Sequence, residues 1–318
     1  GAARNEKCPQ LHKWPMSISA LTGLLISGFI IVAMLLLAVG IFWGFNWPVM
    51  KISMAAIPVF TFRAIAVFFG GLCLAALCRH MGYSLKVPRD QWLPLLLVTA
   101  LIFGFSVLSG YGVLQTGSGR AAVMAYTMPI WAIPFSAMLL AEPITWRKLV
   151  SLLLGLGGMA LLLIADIETL GGAPVGMALM LVTAIIWAAA TIAHKKVAWA
   201  VPTLVLVTWQ SLLNSVPLAI GAVFVDYDGV AFPGLWPILG VLYNIFIATC
   251  LCLYAYFEVV RIFPVGMTTI GVMIAPVVGV FTGAFALGEP LGAAEFTALA
   301  LVLAAIALPV MGRRDAFK

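Results

Sequence analysis

The sequence predicts an all-α integral membrane protein: ten transmembrane helices built as two inverted five-helix repeats around a central cavity. Three observations carry this expectation. The 318 residues are 64% hydrophobic and only 9% charged, with a mean hydropathy of +1.15. A soluble domain carries roughly 25% charged residues, so too few polar atoms are present to cover a water-facing surface. The basic residues fall at alternate ends of successive apolar runs, and the two halves of the chain echo one another. Soluble enzymes and secreted disulfide scaffolds are excluded on composition. So are nucleic-acid binders, because the net charge of +6 is dispersed among short segments rather than gathered into a phosphate-binding stripe.

Uncharged apolar runs between charged or Pro/Gly-marked breaks give ten spans, near 26–50, 57–78, 91–113, 118–141, 147–165, 174–194, 203–224, 235–258, 264–287 and 291–311. About 37 uncharged residues separate Lys13 from Lys51. As one helix they would measure about 55 Å against a hydrocarbon core of about 30 Å. The polar-spotted piece Ser17 to Ser27 is therefore expected at the interface or as a flexible entry, with the span beginning near Ile26. The chain divides into an interfacial N-terminal segment (1–25), a first repeat (26–165), a second repeat (174–311) and a short tail (312–318). Cys73, Cys78, Cys250 and Cys252 lie in apolar runs and Cys8 stands alone near the N-terminus, a pattern of small packing residues rather than a disulfide framework.

Orientation follows from the basic residues. With the N-terminus cytoplasmic, that side collects Arg4, Lys7, Lys13, Arg79, Lys86, Arg89, Arg147, Lys148, Lys195, Lys196, Arg261, Arg313, Arg314 and Lys318, which is 14 of the 17 Lys and Arg. The opposite loops hold Lys51 and Arg120, together with the acids Asp166, Glu168, Asp226, Asp228 and Glu289. This asymmetry places both termini in the cytoplasm. It also fixes the count, because an error of one span would scramble the alternation downstream.

The string AEP at 141–143 recurs as GEP at 288–290, a shift of 147 that also carries Pro129 onto Pro276. IFWGFNWPVMK at 41–51 resembles IIWAAATIAHK at 185–195, so Trp43 matches Trp187. Five spans per half is an odd number, so the second copy enters the membrane from the opposite face, an arrangement typical of secondary transporters. Pro129 and Pro276 lie near the middle of spans four and nine. Each removes one helix hydrogen bond, freeing the carbonyl of Ala125 or Val272, and interrupted helices at matching positions point to a binding site between the repeats. Prolines also serve as plain kinks in membrane helices.

The ten-span pattern, the paired proline and LGEP-like turns before spans five and ten, and the Trp43-Gly44 pair in span one resemble the drug/metabolite transporter superfamily. The similarity is to its EamA-type exporters and covers about residues 26–311; the Trp and Tyr content is similar to the aromatic amino-acid exporter (YddG) branch. The resemblance implies a basket with spans one to four and six to nine around a cavity and spans five and ten outside. The chain departs from the family at Ala141, where Gly is usual.

Polar side chains inside a bilayer are costly and mark functional candidates. Arg63 is the one charged residue well inside a span, roughly 9 Å from the outer end of span two. Its guanidinium is suited to pair with a substrate carboxylate, to snorkel to the interface, or to cap a neighbouring helix. The resemblance implies that arginine here is a general family feature, which favours the structural role. Trp43, Asn46 and Trp47 share a helix face in span one, and Trp187 is the mate of Trp43. Trp209, Gln210 and Asn214 in span seven, Tyr243 and Asn244 in span eight, and Tyr111 and Tyr126 complete the substrate-binding candidates. Helix-to-helix hydrogen bonding is the competing role for each amide. Trp14, Trp92, Trp146, Trp199 and Trp236 fall near span ends and read as interfacial belt.

A cavity of rings and amides suits an amphiphile with a flat apolar body and a polar end. The expected function is export of amino acids, aromatic and other neutral ones, by alternating access across a bacterial inner membrane. Organic cations are the alternative substrates, and an intramembrane enzyme or channel is the disfavoured alternative class. No HExxH, paired intramembrane Asp or GxSG signature occurs, and His12, His80 and His194 lie near span ends, so neither a metal nor a cofactor is expected. The partners expected are the small-molecule substrate and the lipid bilayer, with no nucleic acid. Glu258 with Arg261 one turn on reads as an ion pair, leaving no clear mid-membrane proton site. Gly155, Gly157 and Gly158 permit close helix packing within one copy or between copies.

Overall fold

The computed structural model describes residues 18–116, 118–165, 174–226, 233–287 and 292–311. Arg4, Lys7, Cys8, His12, Lys13, Trp14, Asp166, Glu168, Asp228, Glu289, Arg313, Arg314 and Lys318 lie outside these residues. The described chain is helical, in the order α1 (Ile18–Met54), α2 (Val59–His80), α3 (Trp92–Thr116), α4 (Ser118–Ala125), α5 (Met128–Leu140), α6 (Trp146–Ala165), α7 (Pro174–Lys196), α8 (Thr203–Val225) and α9 (Leu235–Tyr243). A π-helical segment (Asn244–Leu253) leads into α10 (Tyr254–Ile262), followed by α11 (Val265–Gly271), α12 (Ile274–Leu287) and α13 (Ala293–Met311). Eight stretches among the described residues are long and apolar enough to cross a membrane. Their outward faces carry large apolar side chains such as Met138 (80% exposed), Phe224 (80%) and Phe285 (83%). A surface of that kind belongs against lipid.

Two expectations change. From Ile18, the first described residue, α1 is continuous helix to Met54, so the entry before Ile26 is helical rather than flexible. Arg120 and Lys51 do not stand in loops, because their backbones belong to α4 and to the last turn of α1. Where spans four and nine were expected, the helix is interrupted at Tyr126–Thr127 and again at Val272–Met273. Tight turns replace the α-pattern there, with Ile130 N–H bonding to the Thr127 carbonyl at 2.9 Å and Ala275 N–H to the Val272 carbonyl at 3.1 Å. Pro129 falls within the first turn and Pro276 just after the second, and neither supplies a donor of its own; the Val272 carbonyl, expected to be freed, instead accepts from Ala275 N–H because the tight turn re-satisfies it.

The two halves of the sequence pack through one another. Helix α2 lies along α8, α3 along α7, and α1 along α12, while α6 and α13 pack chiefly against each other at the side of the bundle. The close approach of α1 and α12 needs Gly44, since a Cβ there would fall 2.6 Å from the Ala275 carbonyl. Gly155 of α6 likewise sits where a Cβ would meet Met273, whereas Gly157 faces open space. Cys73, Cys78, Cys250 and Cys252 are free thiols.

The loops after α2, α5, α7 and α10 meet at one end of the bundle. Gln91 donates to the Ala198 carbonyl (3.1 Å) and accepts from Ala200 N–H (3.1 Å). Glu142 accepts from Val265 N–H at 2.9 Å and lies 3.6 Å from Lys148 and 4.0 Å from Lys195. Lys195 also donates to the carbonyls of Val260 and Phe263 at the end of α10. The Glu258–Arg261 pair forms here as well. With Arg79, Lys86, Arg89, Arg147 and Lys196 nearby in sequence, this end is the basic face of the molecule. At the opposite face Asp226 accepts from the N–H and hydroxyl of Thr61 (2.7 and 2.9 Å), which caps the first turn of α2.

Ala141 ends α5 in the left-handed conformation, with φ 52° and ψ 31°, and is the one non-glycine residue of positive φ among those described. Its N–H and that of Glu142 both turn back to the Ser136 carbonyl. A Cβ in this region costs about 1 kcal/mol. Ala141→Gly is expected to stabilise the protein by about 1 kcal/mol, read as a higher midpoint of thermal unfolding in detergent; an unchanged or lower midpoint would show that the turn carries no strain.

Candidate functional site

A cavity of about 110 Å³ lies at the centre of the bundle, where α1, α2, α3, α7, α8, the π segment and the α4–α5 turn converge. It is lined by Trp43, Asn46, Trp47, Arg63, Tyr126, Trp187, Gln210, Asn214 and Asn244 among the expected residues. Space of this size admits several water molecules, each needing about 10–15 Å³ on the same measure. One wall is aromatic. The Trp43 and Trp187 rings meet edge to face at 5.6 Å, Phe105 lies 4.5 Å from Trp187, and Tyr256 lies 5.2 Å from Trp43. Across the cavity Trp47 meets Tyr126 edge to face at 6.4 Å. The Trp43 indole donates to the Ala248 carbonyl (3.4 Å), in the wide turns of the π segment.

The polar wall is only partly satisfied. Arg63 is buried, donates from Nη2 to the Ser109 hydroxyl at 2.7 Å, and leaves Nε without a partner among the described residues. The amides divide their capacity in the same way. Asn214 donates to Ser106 (3.2 Å), Gln210 bonds to Nδ1 of His194 (3.1 Å), and Asn46 donates to the sulfur of Met50 (3.1 Å). Their oxygens, with the Ser211 hydroxyl, find no partner among the described residues. A buried polar atom without a partner costs about 1–3 kcal/mol, so these atoms are poised for a ligand. Asn244 instead turns its NH₂ to the Gly240 carbonyl at 3.0 Å, an intrahelical role.

Three expected residues lie elsewhere. Trp209 packs edge to face on Trp92 (5.1 Å) and donates to the Leu85 carbonyl (2.8 Å), because one residue along a helix turns the side chain by 100° away from Gln210. Tyr111 lies against Phe60 near the opposite face, and Tyr243 donates to the Phe42 carbonyl at 2.7 Å. The lining also includes Phe105, Ser106, Ser211, Met50 and the π-segment residues Ala248, Thr249 and Leu253, which sequence reasoning missed. Ser106 and Ser109, three apart in an apolar run, were the available signal. Phe105 had none.

A second cavity, about 520 Å³, opens at the basic face and is lined by polar groups including Tyr83, His194, Thr203, Glu258 and Arg261. Between the two stand the rings of Trp187, Tyr256, Phe257 and His194, each within 6 Å of a neighbour in the set.

A lipid-facing helical bundle with polar capacity held open at its centre defines a multi-pass membrane carrier rather than a lipid-embedded scaffold. The chain belongs to the EamA-like transporter family, which matches residues 30–164 and again residues 174–311. It is 30% identical over 198 residues to the "Uncharacterized transporter YvbV" of Bacillus subtilis, a match covering 61% of this chain and 63% of that one. It is 27% identical to the "Uncharacterized inner membrane transporter YedA" of Escherichia coli K12, over 87% of this chain and 90% of the relative. It is 24% identical to the "Probable amino-acid metabolite efflux pump" of Salmonella typhimurium, over 88% and 95%. A solved crystal structure of 22% identity superposes with a TM-score of 0.75 over 89% of this chain and 98% of its own, which shows the same fold.

Trp187 touches four rings, so truncation leaves a void that its neighbours cannot fill. Trp187→Ala is expected to cost about 3–5 kcal/mol in thermal or denaturant unfolding and Trp187→Phe distinctly less; equal, small losses would show that the aromatic wall is loosely packed.

Proposed function

We propose that the chain exports amino acids, aromatic and other neutral ones, by alternating access across a bacterial inner membrane. The observation that carries this reading is the pairing of opposite capacities in one cavity: a guanidinium N–H on Arg63 and oxygens on Asn46, Gln210 and Asn214 that have no partner among the described residues. A zwitterion satisfies both, its carboxylate taking Arg63 and its ammonium the amide oxygens, while Trp43, Trp47 and Trp187 offer faces for the side chain. An organic cation would complete the oxygens but meet Arg63 with like charge. The Salmonella relative, a "Probable amino-acid metabolite efflux pump", supports the same class.

The architecture proposed is ten spans in two inverted repeats, 26–165 and 174–311, with the basic face cytoplasmic and both termini on that side. Supporting it are the two family matches, the helix interruptions at corresponding places in each half, and the gathering of alternate loops at one end. The helices α6 and α13 complete the count.

Binding is tested by thermal stabilisation of the purified protein with a panel of amino acids and organic cations. At a hundredfold excess over Kd a true ligand adds about 2.7 kcal/mol of apparent stability. Phenylalanine or tryptophan is expected to stabilise the wild type, and Arg63→Gln to lose that effect. Stabilisation by cations alone would overturn the reading. Flux into proteoliposomes with and without an imposed pH gradient then tests coupling: with no carboxylate lining the cavity among the described residues, transport is expected to follow the substrate gradient alone.

A further inference from the structure

Gln210 stands between the two cavities. Its side chain lines the central one, and its Nε2 lies 3.1 Å from Nδ1 of His194, which lines the cavity at the basic face. Both side chains are buried. Phe257 stacks on the imidazole at 4.2 Å with 27° between planes, and the Trp199 ring lies 5.8 Å from it while its indole donates to the His194 backbone carbonyl at 2.7 Å.

A neutral imidazole has one protonated and one bare nitrogen. With the proton on Nε2, Nδ1 accepts the Gln210 N–H. The planar amide is then oriented as a unit, and its Oε1, without another partner among the described residues, is left for the central cavity. With the proton on Nδ1 the ring would donate instead, the amide would turn over, and the cavity would be offered NH₂ in place of oxygen. The same residue would then present a donor where an ammonium needs an acceptor.

We propose that His194 is a positioning residue that sets the polarity of the central site, holding Gln210 so that its carbonyl oxygen faces the substrate ammonium. The proposal rests on the amino-acid reading of the central cavity. His194 itself lies behind Gln210 and touches no substrate in this arrangement.

The test compares the affinity of the full-length protein for phenylalanine and for 3-phenylpropanoate, which lacks the amine, by ligand-dependent thermal stabilisation. His194→Leu is expected to weaken phenylalanine binding about tenfold, the size of one lost hydrogen bond to a charged group, and to leave 3-phenylpropanoate unchanged. His194→Asn, whose Oδ1 lies near the place of Nδ1, restores the preference. Gln210→Leu, which leaves the ring in place and serves if His194→Leu does not fold, reproduces the loss, and the double variant adds nothing further. Equal weakening of both ligands, or retained preference for phenylalanine in His194→Leu or Gln210→Leu, overturns the positioning role alone. A wild type that binds neither compound overturns the amino-acid reading, and with it this proposal.

Discussion

Hydrocarbon offers a polypeptide no hydrogen bonds, and the structure is organised around that absence. Backbone groups are satisfied within helices, and where helices stop inside the bundle the interruption is largely shielded: Val272 and Met273 are fully buried, Tyr126 nearly so, and Thr127, partly buried, donates its hydroxyl to the Met124 carbonyl at 2.7 Å. Hydroxyl side chains follow the same rule. Thr99, Ser106, Thr116, Thr183, Thr191 and Thr208 each donate to the carbonyl four residues earlier, at 2.7–2.9 Å, so their donor capacity is met within their own helix. Against this background of local satisfaction, the polar atoms left open at the centre stand out as a site.

Much of this was legible because the bilayer forces it into the sequence. Span boundaries follow charge, and the matching prolines at 129 and 276 lie just beyond the two interruptions. What was not legible depends on helix rotation and on neighbours. Trp209 and Gln210 are adjacent in sequence, yet one belongs to the belt with Trp92 and the other to the cavity. The amides of span seven were candidates by type, but only the fold supplies Ser106 and His194 as partners for their NH₂ groups. The π segment left no mark in composition, since its apolar residues read as ordinary helix; in the fold it lies against α2, with Thr249 over Gly70. Ala141 shows the converse: its departure from the family's usual Gly was visible in sequence, while its left-handed backbone was not.

The interleaving of α2 with α8 and α3 with α7 bears on how the protein is made. Neither half encloses the cavity, because Arg63 and Ser106 come from the first and Gln210 and Asn214 from the second. The ribosome delivers the first half before the second exists. Until α7 and α8 arrive, the groove between α2 and α3 can be filled only by lipid, by water or by the membrane-insertion machinery. Arg63 then has Ser109 within its own half, but Ser106 accepts from Asn214 only once α8 is in place. Biogenesis thus has an obligatory late step, the closing of the second half over the first, and the central cavity comes into being only at that moment.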